Sequence, residues 1–235
     1  NPARVDLAVY DTVLICSERY ATPFGEATLQ PARAARISAM RLRQPRILPV
    51  TEADWTDDSR PALAANAARG PLLNVFTTIA RHPKLLKRWM VFANHVLNGS
   101  TLPARERELV ILRTGFLCRS GYEWAQHVAI GRHAGLTDAE VQAITVGATD
   151  PSWNEADREL LQATDQLVRD HFIDDPTWKA LASRWSEQQL MDLVFAVGQY
   201  TLVSMALNSF GVQLEDTTER FPADQFVDGL FPRTT

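Results

Sequence analysis

The run from Arg105 to Leu136, RERELVILRTGFLCRSGYEWAQHVAIGRHAGL, constrains this chain more than any other. It reads as two helical segments broken near Gly121, with carboxylates and a histidine where a helix should bury apolar side chains. In a helix over 105–119, Leu109, Ile111, Leu112 and Phe116 share one broad face. Glu108 and Gly115 fall inside that face, so a carboxylate is aimed at the core beside a gap. A buried carboxylate is costly unless it is paired, hydrogen-bonded or protonated. Glu108 therefore has either a structural partner, such as a neighbouring Arg or a helix N-terminus, or a chemical task.

In the second segment, 121–134, the face of His127 also carries Glu123 one turn before it, Gly131 one turn after it and Ala134 beyond. Trp124, Val128 and Ile130 flank that face, which argues against a merely solvated Glu and His pair. Glu123 is placed to hold the imidazole in one tautomer, to raise its pKa or to take a proton from it. The small residues leave room for a ligand or for a closely packed helix.

These residues resemble the carboxymuconolactone decarboxylase and alkylhydroperoxidase D superfamily, whose pattern is a Glu in an REL helix, a cysteine motif, then a His followed by an AGL helix end. Redox members carry C-x-x-C before the His, and counting back from His127 puts Ser120 and Glu123 in those two positions. Cys118 lies two residues too early to fill the first. The Y-E-W before His127 is closer to the decarboxylase-like branch, and the similarity spans Pro45 to about Leu214. The resemblance implies a bundle of six to eight helices, a homo-oligomer (trimer or hexamer), and a cofactor-independent enzyme acting on a small carboxylated lactone or related enolisable acid. His127, Glu123 and Glu108 are the expected catalytic residues, with Ser120, Tyr122, Trp124, Phe116 and Cys118 as substrate contacts. For Trp124, as for Phe76 and Trp89, a core role is the commoner one.

Composition narrows the alternatives. A hydrophobic content of 46% over 235 residues is ample for a buried core. The net charge of −4 speaks against a nucleic-acid partner or an acidic membrane surface. No uninterrupted apolar run reaches the roughly 18 residues of a membrane span. Cys16 and Cys118 have neither metal-ligand nor disulfide-framework spacing, so no metal site and a reducing cytoplasm are expected. His82 precedes Pro83 at a helix junction, His133 points away from the His127 face, His171 sits at a helix C-terminus, and His95 lies in an amphipathic helix from which it could reach the pocket.

Along the chain, residues 1–39 read as an extension, 40–220 as one helical domain and 221–235 as a tail. Pro61 and Pro83 open helices, and 71–81 lies between them. Leu85, Leu86, Trp89, Phe92 and Val96 give 84–97 one apolar face, ended by Gly99. Gly135 and Leu136 look like a Schellman stop, and Thr137 with Glu140 like a capping box. Ser152 with Glu155, Pro176, and Ser186 with Gln189 mark three more starts, the last for a long helix closed by Gly211. DLVFAVGQY from Asp192 echoes ELVILRTGF from Glu108, either through an internal duplication or through helical period alone. Nothing alternates between hairpin turns, so the fold class is all-α. Three functions stay open: an acid–base enzyme, a thiol oxidoreductase, and a non-catalytic helical oligomer.

Overall fold

A computed structural model describes residues 42–68, 70–215 and 222. The expected extension, and the expected tail apart from Pro222, lie outside the described residues. The described chain forms two compact units, one of residues 47–100 and one of 42–46 with 101–215. It holds nine α-helices and no strand, one more than the upper end of the six to eight that the resemblance implies, and three of them are only six to eight residues long.

In the first unit, α1 (Arg60–Ala67) has Pro61 in its opening turn, where a missing amide hydrogen costs nothing. The second, α2 (Asn74–Ile79), is shorter than its sequence pattern, and α3 (Pro83–Asn94) runs into a π-helical turn over His95–Gly99. His82 has a definite role as the N-cap of α3, its Nδ1 accepting from the Leu85 amide at 3.3 Å. Leu63, Phe76, Leu86 and Met90 are buried here, and Phe76 and Trp89 pair with ring centroids 6.2 Å apart.

The second unit is built around α4 (Ala104–Leu117), in which every residue from Glu108 to Leu117 is buried. A helix buried on all sides needs neighbours on all sides. They are α5 (Gly121–His133), α6 (Asp138–Val146), α7 (Glu155–Asp170) and α9 (Glu187–Phe210), with α8 (Asp175–Ala182) against α7 and α9. Between α4 and α5 the chain reverses through Arg119, whose φ is +51°, and the Ser120 amide donates to the Gly115 carbonyl at 2.9 Å.

The stop after α5 is the expected one: Gly135 has φ +110° and the Leu136 amide donates to Gly131 O at 2.8 Å. Thr137 and Glu140, and Ser186 and Gln189, form full capping boxes, and Gly211 closes α9 at φ +70°. The start of α7 differs. Its cap is Asn154, whose side chain accepts from the Asp157 amide at 2.9 Å, while Ser152 is turned to Asp150. An Asn outcompetes a Ser placed two residues too early, because only Asn154 reaches a free first-turn amide.

The echo between α4 and α9 is confined to apolar spacing. Glu108 is fully buried, whereas the Asp192 carboxylate accepts from the amide and hydroxyl of Thr101 at 2.6 and 2.7 Å. Among the described residues α9 alone is long and apolar enough to cross a membrane, although no uninterrupted apolar run predicts it. Half of its most apolar window is buried against the protein, as suits a core helix. Met191, Val194, Phe195, Leu202 and Met205 line its other side, all at least 37% exposed.

Candidate active site

Two glycines bring the site together. A β-carbon on Gly115 of α4 would lie 3.4 Å from Glu123 Cβ, and one on Gly131 of α5 would lie 2.9 Å from Leu136 Cδ1 and 3.6 Å from Glu108 Cβ. The gap beside each carboxylate is therefore filled by the facing helix, which answers the choice between ligand space and close packing in favour of packing. In this antiparallel hairpin Glu123 lies over Gly115, Gly131 lies over Glu108, and His127 falls between the two carboxylates.

Glu108 Oε2 stands 2.7 Å from His127 Nδ1, and Glu123 Oε2 stands 3.4 Å from His127 Nε2. The side chains of Glu108, Glu123 and His127 are 0, 8 and 7% exposed. Arg107 Nε donates to the other oxygen of Glu108 at 3.3 Å. Tyr200 of α9 meets the imidazole edge-on, with centroids 4.8 Å apart. All three expected catalytic residues converge, and the closer carboxylate is Glu108 rather than Glu123. Glu108 reaches the imidazole directly, with no bridging water required.

Burial sets the electrostatics. Desolvation pushes the Glu123 carboxyl up to about 7, against the pull of His127 and with a further push from Glu108. For His127 burial alone acts downward, but the charge and hydrogen bond of Glu108, with the charge of Glu123 behind them, raise it despite Arg107. The Tyr200 phenol is driven well above its ordinary range by burial and by both carboxylates. Near neutral pH the array holds a proton on the imidazole and a second, readily exchanged proton on Glu123. Because the carboxylates sit on opposite ring nitrogens, one metal ion cannot gather all three, and no cluster with metal-holding geometry occurs among the described residues.

The expected substrate contacts are more dispersed. Ser120 precedes α5 without capping it, and its Oγ is buried with no hydrogen-bond partner among the described residues. The Tyr122 hydroxyl donates to Glu215 Oε1 at 2.7 Å, beside Gln126 Nε2 on the other oxygen. Phe116 and Trp124 pack together at 5.9 Å, both in the core. Cys118 ends α4, its carbonyl accepting from Asn208 Nδ2 at 3.0 Å. His95 belongs to the other compact unit. Two open clefts of about 300 and 440 Å³ run along α7, and neither is lined by the Glu–His–Glu array. Sequence reasoning missed Tyr200 and Arg107. The first was legible only as a polar-tipped aromatic in the α9 echo, the second only as a cation next to Glu108.

Residues 83–166 match the model of the Carboxymuconolactone decarboxylase family. No curated protein matches the chain significantly. Among solved structures it resembles the alkylhydroperoxidase AhpD core of an uncharacterized peroxidase-related protein from Ralstonia eutropha JMP134. That pair has a TM-score of 0.60 and 20% identity, covering 72% of this chain and 92% of the other. It also resembles the debrominase Bmp8, in a cysteine-to-alanine variant bound to 2,3,4-tribromopyrrole. Here the TM-score is 0.62 at 15% identity, over 74% of this chain and 94% of that one. A third likeness is a protein of unknown function from Agrobacterium tumefaciens, suggested to be the antioxidant defence protein AhpD. Its TM-score is 0.55 at 22% identity, with 58% and 94% covered. At these identities the structural likeness concerns the fold.

Proposed function

From the match of residues 83–166 to the carboxymuconolactone decarboxylase family model, we propose that this chain is a cofactor-independent acid–base enzyme. Its substrate in this reading is a small carboxylated lactone or a related enolisable acid, and its reaction is loss of carbon dioxide. The observation that carries the proposal is the buried Glu108–His127–Glu123 array, whose two ends differ. Glu108 is fully enclosed and tightly bonded to Nδ1, so it fixes the tautomer and holds the imidazolium. The 3.4 Å separation at Nε2 leaves Glu123 free to exchange its proton, and that end does the chemistry.

In the proposed step the bond between the substrate carbon and its departing carboxylate breaks, and the electron pair moves into the conjugated carbonyl as an enolate. Carbon dioxide leaves, the imidazolium stabilises the enolate, and a proton from the Glu123–His127 end returns to carbon. Solvent then restores that proton. The dry surroundings strengthen every charge interaction involved.

The test is release of carbon dioxide from 2-(carboxymethyl)-5-oxo-2,5-dihydrofuran-2-carboxylate, which keeps its second carboxylate, followed against pH. His127→Ala should lower kcat by roughly 10²-fold or more, the usual size of a general acid–base contribution. Glu123→Gln should remove the limb of the profile near pH 7, where the Glu123 carboxyl titrates. Wild-type rates and profiles in both variants would overturn the proposal. The exposed stripe of α9 supports a homo-oligomer as the working form, its apolar side chains facing a second copy. Leu202→Asp should lower the mass seen by light scattering, and a wild-type protein monomeric at micromolar concentration would refute self-association.

A further inference from the structure

Arg107 and Tyr200 reach the array from two different helices, and neither is accounted for by the proton chemistry. Arg107, on α4, keeps its side chain 14% exposed, and its one ion pair among the described residues runs from Nε to Glu108. Its two Nη groups donate to no described residue. Tyr200, on α9, is 5% exposed and places its ring against His127, and its hydroxyl likewise donates to no described residue. A guanidinium and a phenol that stays protonated are the two donor types best suited to a carboxylate: the first offers parallel N–H bonds, the second a short O–H bond. Both sit within charge range of the imidazole and of each other, since the Arg107 cation acts on His127 and on Tyr200.

Charge counting points the same way. With Glu123 holding its proton, as its burial favours, the array contains two cations, Arg107 and His127, and one anion, Glu108. A buried surplus cation is costly unless an anion joins it. Glu123 supplies that anion only by losing the proton that the chemistry uses.

We propose that Arg107 and Tyr200 form the anion anchor of this site, gripping a carboxylate that the substrate keeps and so selecting organic acids over their neutral analogues. The inference rests on the acid–base reading of the same array and adds to it the residues that set specificity. The bound carboxylate completes the charge balance, so the site charges and protonates correctly when an acid enters. A neutral lactone leaves the guanidinium unmatched.

Binding, not turnover, tests the anchor. The probes are (5-oxotetrahydrofuran-2-yl)acetate, which carries only the carboxylate that the substrate keeps, and its near-isosteric neutral carboxamide, measured by calorimetry at pH 6.5. Wild-type protein should bind the acid at least tenfold more tightly than the amide. Arg107→Gln should erase the difference by weakening acid binding at least tenfold, Arg107→Lys should restore part of it, and Tyr200→Phe should reduce it severalfold. Should Arg107→Gln fail to fold, the Lys and Phe variants decide alone. An acid preference that survives in Arg107→Gln overturns the anchor. So does a wild-type protein without preference, or one that binds neither probe. Acid selection that depends on Arg107 in a protein whose His127→Ala variant keeps wild-type turnover would leave the anchor standing and remove the proton relay. The reverse pattern would do the opposite.

Discussion

Helix α4 carries two buried charged side chains little more than a turn apart, and they live in opposite conditions. Arg113 is 2% exposed with its guanidinium matched on every side. Nε and Nη2 grip Asp165 at 2.6 and 2.9 Å, and Nη1 donates to the carbonyls of Ile144 and Thr145 at 2.8 and 3.0 Å. Phe116 lies 5.7 Å from its guanidinium carbon, and a β-carbon on Gly147, at φ +87°, would collide with it. That guanidinium holds the end of α6 and a bidentate partner on α7, with nothing left to offer a ligand. Glu108, by contrast, belongs to a cluster in which two carboxylates compete for one imidazole and the Arg107 cation is only partly used. A complete set of partners marks a structural charge. A set that is out of balance, with one proton poised near neutral pH, marks a group available for chemistry.

Removing Arg113 should give the largest effect. Arg113→Ala strands Asp165 and two buried carbonyls, and should cost about 3–5 kcal/mol in urea unfolding. A loss under about 1 kcal/mol would erase the contrast between the two charges.

The second effect is smaller and depends on pH. The folded Glu123 carboxyl keeps its proton up to about 7, while the unfolded chain releases it near 4.5, and the folded His127 also holds its proton above its ordinary 6.5. Between those values the native state binds more protons, so this site's stabilisation is full at low pH and is lost as pH rises through about 7. Glu123→Gln should match wild type near pH 5 and exceed it at pH 8 by about 1–3 kcal/mol, the usual scale for burying a polar group. Thermal melts with parallel slopes against pH in both proteins would make Glu123 an ordinary partner, like Asp165. Smallest of all, Cys118→Ser should move stability by less than about 0.5 kcal/mol and leave turnover unchanged. Lost activity there would move the chemistry to the thiol and away from the array.

The helices and their ends were legible in the chain because their causes are local. Capping boxes at Thr137 and Ser186, the stops at Gly135 and Gly211, and prolines in first turns act within one turn of backbone. The helical period also put Glu123 and His127 on one face and aimed Glu108 at the core. What only the tertiary structure decided is which atoms meet. Local spacing assigned the imidazole to Glu123 one turn away. The Gly115 and Gly131 contacts instead slide α5 along α4 until Glu108 takes Nδ1 at 2.7 Å and leaves Glu123 the looser bond at Nε2. Tyr200, far along the chain, enters only because α9 packs on the same helix. Helix identity follows from neighbours in sequence, whereas proton position follows from distances between helices, which a few tenths of an ångström of packing set.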